Sequence, residues 1–218
     1  MFAPPFVPIA GPLAPVGFTS ATESTTLPEL APAPSALDVR EPQLNVLEGH
    51  AVNVAGRLIQ AQAGSGLGGR DVQLQALGAR GWKEVAHTRT GAAGRFLLRY
   101  VPRSLLRELM RVHFSGDSAD TASHRRLGAL QVYRLAGASW YGGGGTMACG
   151  GTLTSSTLGV ANKTLPCGTL VTLRYDGRSV RVPVVDRGPY VEGREYDLTE
   201  ATKAQLGFGS TGEVWSSR

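Results

Sequence analysis

The stretch "VPVVDRGPYVEGREYDLTEATKAQLGF", Val182 to Phe208, decides how the C-terminal part of the chain folds. Apolar residues lead into Asp186, and Gly188, Pro189 and Gly193 then punctuate a rigid loop. An apolar rhythm resumes at Tyr196 and Leu198 around Asp197. Thr199 follows as the N-cap of a short helix, "EATKAQL", which Gly207 is placed to end. The two aspartates lie eleven positions apart across the loop. Such carboxylates are a catalytic pair, one acid with a structural partner, or two caps that do no chemistry.

Outward from this stretch, "GTLVTLRY" and "RSVRVPVVD" flank Asp176-Gly177, the strongest short hairpin signal a sequence offers. "GEVWSS" reads as a last short strand, and "ASWYGGGGTMACGG" opens the segment. Several strands and one short helix within residues 137–218 predict a compact barrel. Upstream, residues 43–135 hold short alternating stretches such as "HAVNVAGRLI", "RDVQLQALG" and "GRFLLRYVP" between Gly-rich turns. That rhythm predicts an antiparallel β-sandwich. The sole helical candidate there is "PRSLLRELM". Residues 1–42 contain nine of the thirteen prolines and predict a disordered or polyproline-like tether. The fold class is all-β: a sandwich followed by a barrel with one short helix.

Cys149 and Cys167 stand eighteen positions apart, without a CxxC, and all four histidines (His50, His87, His113, His124) lie outside their region. Zinc is therefore poorly supported, and no metal or cofactor is expected. A disulfide is the better reading, with two reduced buried thiols as the alternative. It implies an oxidising, extracytoplasmic compartment and contributes about 3 kcal/mol by constraining the unfolded loop. The first residues, "MFAPPFVPIAGPLAPVGF", have no basic n-region, so a signal peptide is not expected in this chain. No apolar run approaches the ~20 residues a membrane helix needs, which excludes a membrane-spanning helix.

The chain carries a net charge of +5. In residues 43–135, thirteen Arg and Lys face six Asp and Glu, a balance suited to anionic wall polymers or simply to a solvated surface. The basic residues are scattered, with no recognition helix or aromatic platform. Nucleic acid is not expected as a partner.

"ASWYG", "NKTLPCGT", "VVDRGPYVEGREYDLT" and "AQLGFG" together resemble the double-psi β-barrel of the rare lipoprotein A (RlpA) family. The resemblance implies a six-stranded double-psi barrel from a bacterial cell-wall protein, some relatives being lytic transglycosylases acting on peptidoglycan glycan strands. "ACGG" with "LPCG" is similar to the cysteine-bearing barrel of expansins, which bind and loosen wall polysaccharide without hydrolysis. The order of strands in the sandwich resembles immunoglobulin-like or transthyretin-like modules. Catalytic RlpA members pair the DRGP aspartate with a histidine just before "KTLP" and an acid further upstream. Asp186 matches the aspartate, but Asn162 stands at the histidine position, and Gly151 or a neighbouring Thr at the upstream acid.

A lytic transglycosylase needs no activated water, because the sugar's own 6-hydroxyl attacks the anomeric carbon. One carboxyl serving as acid and then as base suffices. The catalytic candidates are therefore Asp186 and, with a competing structural reading, Asp197. Candidate substrate contacts are Trp140, Tyr141, Thr146, Asn162 and Tyr190. Arg187 is expected to keep Asp186 ionised, and Glu192 and Glu195 to be solvated. The expected partner is peptidoglycan. The alternatives are a non-catalytic expansin-like binding module and an adaptor whose sandwich recruits a wall or division partner.

Overall fold

Period-two alternation sets nearly all of the regular secondary structure among the described residues. The structure is a computed structural model that describes residues 1–3, 11 and 31–218. The first strands are β1 (Ser35–Val39), β2 (Asn45–Leu47), β3 (Val52–Gln60), β4 (Asp71–Gly78), β5 (Gly81–Arg89), β6 (Arg95–Tyr100), β7 (Arg107–Phe114) and β8 (Ser123–Tyr141). Strands β1, β3 and β6 form one antiparallel sheet. Strands β5, β4, β7 and β8 form the other, with β2 parallel to β8. Val52, Val54, Leu58 and Leu98 from the first sheet meet Val72, Leu74, Met110, Val112, Leu130 and Val132 from the second. These side chains are buried because alternate residues of each strand face the same layer.

Three expectations change here. Most of the predicted tether, residues 1–42, lies outside the described residues. Its C-terminal end does not fit a tether, since Ser35–Val39 is a strand paired with β3 from Ser35↔Gln60 to Val39↔Gly56. "PRSLLRELM" is not helical. Arg107–Phe114 pairs with both β4 and β8, and Met110, Val112 and Phe114 fill the core at every second position. Sheet pairing on both sides overrides local helix propensity. The division placed between residues 135 and 137 falls inside β8, one continuous strand of 19 residues with no linker.

The second half of β8 belongs to the barrel. The remaining elements are β9 (Val160–Ala161), β10 (Leu170–Tyr175), β11 (Arg178–Asp186), β12 (Tyr196–Thr199), α1 (Glu200–Leu206) and β13 (Thr211–Ser216). The order β12-β9-β11-β10-β13-β8 closes on itself through β12 beside β8, giving six strands with no free edge. Val160, Val171, Leu173, Val182, Val184, Tyr196, Leu198, Leu206 and Val214 fill the interior. Asp176 and Gly177 both take positive φ, +43° and +78°, as the β10–β11 hairpin requires. Thr199 caps α1 by accepting from the Thr202 amide, and Gly207 ends it in the left-handed region. No helix among the described residues is long and apolar enough to cross a membrane.

Candidate functional site

Strict alternation from Val182 and Val184 would point Asp186 into the barrel core. A bulge prevents this. Val184 pairs with Val160, but Asp186 pairs with the next residue of β9, Ala161, leaving Val185 extra. Val185 packs over Gly159, where an added Cβ would lie 2.4 Å from a Val185 methyl, so this position requires glycine. The bulge therefore turns Asp186 off the face that Val182 and Val184 present to the core and leaves it half-buried. One carboxylate oxygen, Oδ1, accepts the Ala148 and Arg187 amides, each at 2.8 Å. No hydrogen bond to Oδ2 is found among the described residues, and that atom is not among the buried unpaired ones.

Register places a second carboxylate on the same face. Ala161 pairs with Asp186 on one side and with Asp197 on the other, and Asp197 in turn pairs with Ser139. Directly paired residues share a face, so the row reads Asp186, Ala161, Asp197, Ser139. Two strand spacings separate the aspartate backbones by roughly 9.5 Å. The Ser139 hydroxyl donates to Asp197 Oδ1. Tyr141 lies two residues beyond Ser139, hence on that same face. Its hydroxyl is buried without a standard hydrogen bond among the described residues. Burial first, then the nearby carboxylates of Asp186 and Asp197, pushes this phenol well above its ordinary pKa. Tyr141 thus keeps its proton beside two carboxylates.

Residues 135–215 match the protein family described as lytic transglycolase. The chain is 43% identical over 82 residues to the probable endolytic peptidoglycan transglycosylase RlpA of Aquifex aeolicus, covering 35% of this chain and 36% of that protein. Identity to the endolytic peptidoglycan transglycosylase RlpA of Pseudomonas aeruginosa is 40% over 88 residues, 38% of this chain and 26% of the relative. The barrel is of the RlpA type. The chain spans between about a quarter and just over a third of the length of these curated relatives, and residues before 135 lie outside the family match. Streptomyces papain inhibitor is a solved structure with 28% identity and a TM-score of 0.32, covering 39% of this chain and 94% of its own.

Several expected residues of this RlpA-type barrel sit elsewhere than the sequence suggested. Asn162 is only 3% exposed, and its amide is spent on the backbone. Its Oδ1 accepts the Thr164 and Leu165 amides, and its Nδ2 donates to the Glu195 carbonyl. Asn162 is a brace for the "KTLPC" turn and not a ligand contact. Asn162→Ala strands these partners and should cost about 1–3 kcal/mol by chemical denaturation; an unchanged stability would remove the brace. Trp140 points to the opposite face of β8 from Tyr141, where Lys203 Nζ lies 3.8 Å from its ring centre. It does not join the aspartates. Thr146 is exposed and bridges to Thr152, and Tyr190 is 80% exposed in the loop just past Asp186.

Arg187 does not neutralise Asp186. Its guanidinium donates to the carbonyls of Asn162 and Leu165 and to Cys167 Sγ. Glu195 is not free in solvent either, since it pairs with Arg134. Cys149 and Cys167 are joined, with Cα atoms 5.6 Å apart. Sequence reasoning missed Ser139, which period-two counting back from Tyr141 along β8 would have found. It also missed the Ala148 amide, which no side-chain pattern announces.

Proposed function

We propose that the chain is an extracytoplasmic cell-wall protein that binds peptidoglycan glycan strands on the Asp186 face and cleaves them as a lytic transglycosylase. The observation that carries this reading is the state of Asp186: two amides fix one oxygen, while the other accepts no hydrogen bond among the described residues. In the proposed reaction, protonated Asp186 gives its proton to the glycosidic oxygen as the bond to the anomeric carbon breaks. The 6-hydroxyl oxygen of the same sugar then bonds to that carbon, and the hydroxyl proton returns to Asp186. Tyr141 keeps its own proton beside the carboxylate. The disulfide supports an oxidising compartment. Incubation with peptidoglycan sacculi should release 1,6-anhydro-muropeptides detectable by mass spectrometry. Intact sacculi after prolonged incubation would end the catalytic reading.

One observation favours a second reading, binding without cleavage. The residue at the family's histidine position, Asn162, is buried and cannot move a proton. This reading predicts co-sedimentation with sacculi and no soluble fragments. In both readings Tyr190→Ala weakens sedimentation about five-fold or more, the loss of one exposed stacking ring worth ~1 kcal/mol, whereas Trp140→Ala leaves it unchanged. The reverse pattern would move the glycan to the other face of β8. For anionic wall polymers, the support is a basic cleft on the sandwich lined by Arg40, Arg57 and Arg95 together with Asp38.

A further inference from the structure

The disulfide sits closer to the acid than a barrel staple needs to. Cys149 follows Ala148, whose amide holds Asp186 Oδ1 at 2.8 Å. Cys167 Sγ accepts from the Arg187 guanidinium at 3.1 Å, and the Arg187 amide holds the same Oδ1. Sequence, disulfide and hydrogen bonds therefore close a ring: Asp186, Ala148, Cys149, Cys167, Arg187 and back to Asp186. The Cys149 amide also donates to the Val185 carbonyl, and the Asn162 amide to that of Asp186, fastening both flanks of the acid.

Besides the buried side chains of Met147 and Leu153, the loop that delivers Ala148 has few ties to the barrel. Six glycines lie between Gly142 and Gly151, all exposed. Other hydrogen bonds of this stretch, Met147 to Gly151, Gly150 to Met147 and Leu153 to Gly145, stay within the loop. Its bonds to β11 come from Ala148 and Cys149 alone among the described residues. The barrel interior is filled mainly by valines and leucines from the strands, with the partly buried Cys149 packed against its edge.

Resting on the transglycosylase reading, we propose that the Cys149–Cys167 disulfide is a positioning element for Asp186. It holds the Ala148 amide on the carboxylate, so breaking it disorders the acid while leaving the barrel folded. Cys167 is exposed, so the bond is open to solution reductants.

The test compares the oxidised protein, a Cys149→Ser/Cys167→Ser variant and protein treated with a phosphine. The phosphine takes oxygen from water and becomes its oxide as the disulfide becomes two thiols. An amide bonded to a carboxylate shifts its NMR resonance as that carboxyl titrates. In the oxidised protein the Ala148 and Arg187 amides should both follow Asp186. After reduction the Ala148 response should vanish and that of Arg187, next in the chain, should remain. Misplacement of the acid should lower kcat about 10²-fold with little change in KM. An Ala148 amide that still follows Asp186 after reduction would overturn the proposal. Should the reduced chain unfold, Ala148→Pro in the oxidised protein removes the donor and keeps the bond. The same kcat loss is then expected, and full activity would overturn the proposal. If oxidised wild type releases no anhydro product, the transglycosylase reading fails while the amide titration still decides the clamp.

Discussion

Asp186→Asn should lower release of 1,6-anhydro-muropeptides by about 10²–10⁴-fold, the range expected when a general acid–base group is lost. Asn keeps an oxygen to accept the Ala148 and Arg187 amides, so folding stability should change little. The effect is then one of chemistry. Rates measured by mass spectrometry on sacculi, with a denaturation curve alongside, separate the two. Product at the wild-type rate from the Asn variant would remove Asp186 from catalysis. The nature of the product also discriminates. Asp197 lies on the same face two strands away, a spacing of roughly 9.5 Å between backbones. Inverting hydrolases hold their carboxyls ~6.5–9.5 Å apart to admit a water. A water-derived reducing end in place of an anhydro ring would assign Asp197 as the base and replace the intramolecular mechanism.

Leu198→Ala should be the most damaging substitution to the barrel. Leu198 is fully buried on β12, between Asp197 and the Thr199 cap, and pairs with Val160 and Trp140 on its two sides. Removing its side chain creates a cavity among Val160, Val184 and Leu206, with an expected cost of about 2–5 kcal/mol. Urea denaturation followed by tryptophan fluorescence reports it. A loss under ~1 kcal/mol would mean that the barrel core does not pack as described.

Local chemistry made much of the barrel legible. Asp176-Gly177 fixed a hairpin because both positions need positive φ, and Thr199 with Gly207 bounded a helix through its orphan amides and carbonyls. The alternation in Arg178–Asp186 was legible too, but not the bulge at Val185 that turns Asp186 off the core face. That feature depends on Gly159, the residue just before β9, making room. Trp140 and Tyr141 looked equivalent as adjacent aromatics, although a strand sends them to opposite faces. Arg187 sits next to Asp186 in sequence yet spends its charge on carbonyls contributed by a distant turn. The helix expected at Pro102–Met110 failed because β4 and β8 pair with that segment on both sides, contacts a local pattern does not contain.

The central claim is that a glycan strand lies along the face holding Asp186, Ala161, Asp197 and Tyr141. Amide chemical-shift mapping with a soluble, peptide-free glycan oligomer from peptidoglycan tests it most directly. The account predicts saturable shifts at Tyr141, Ala148, Ala161, Arg187 and Tyr190, with the sandwich amides unmoved. Shifts confined to the sandwich, around Arg40, Arg57 and Arg95, would contradict it.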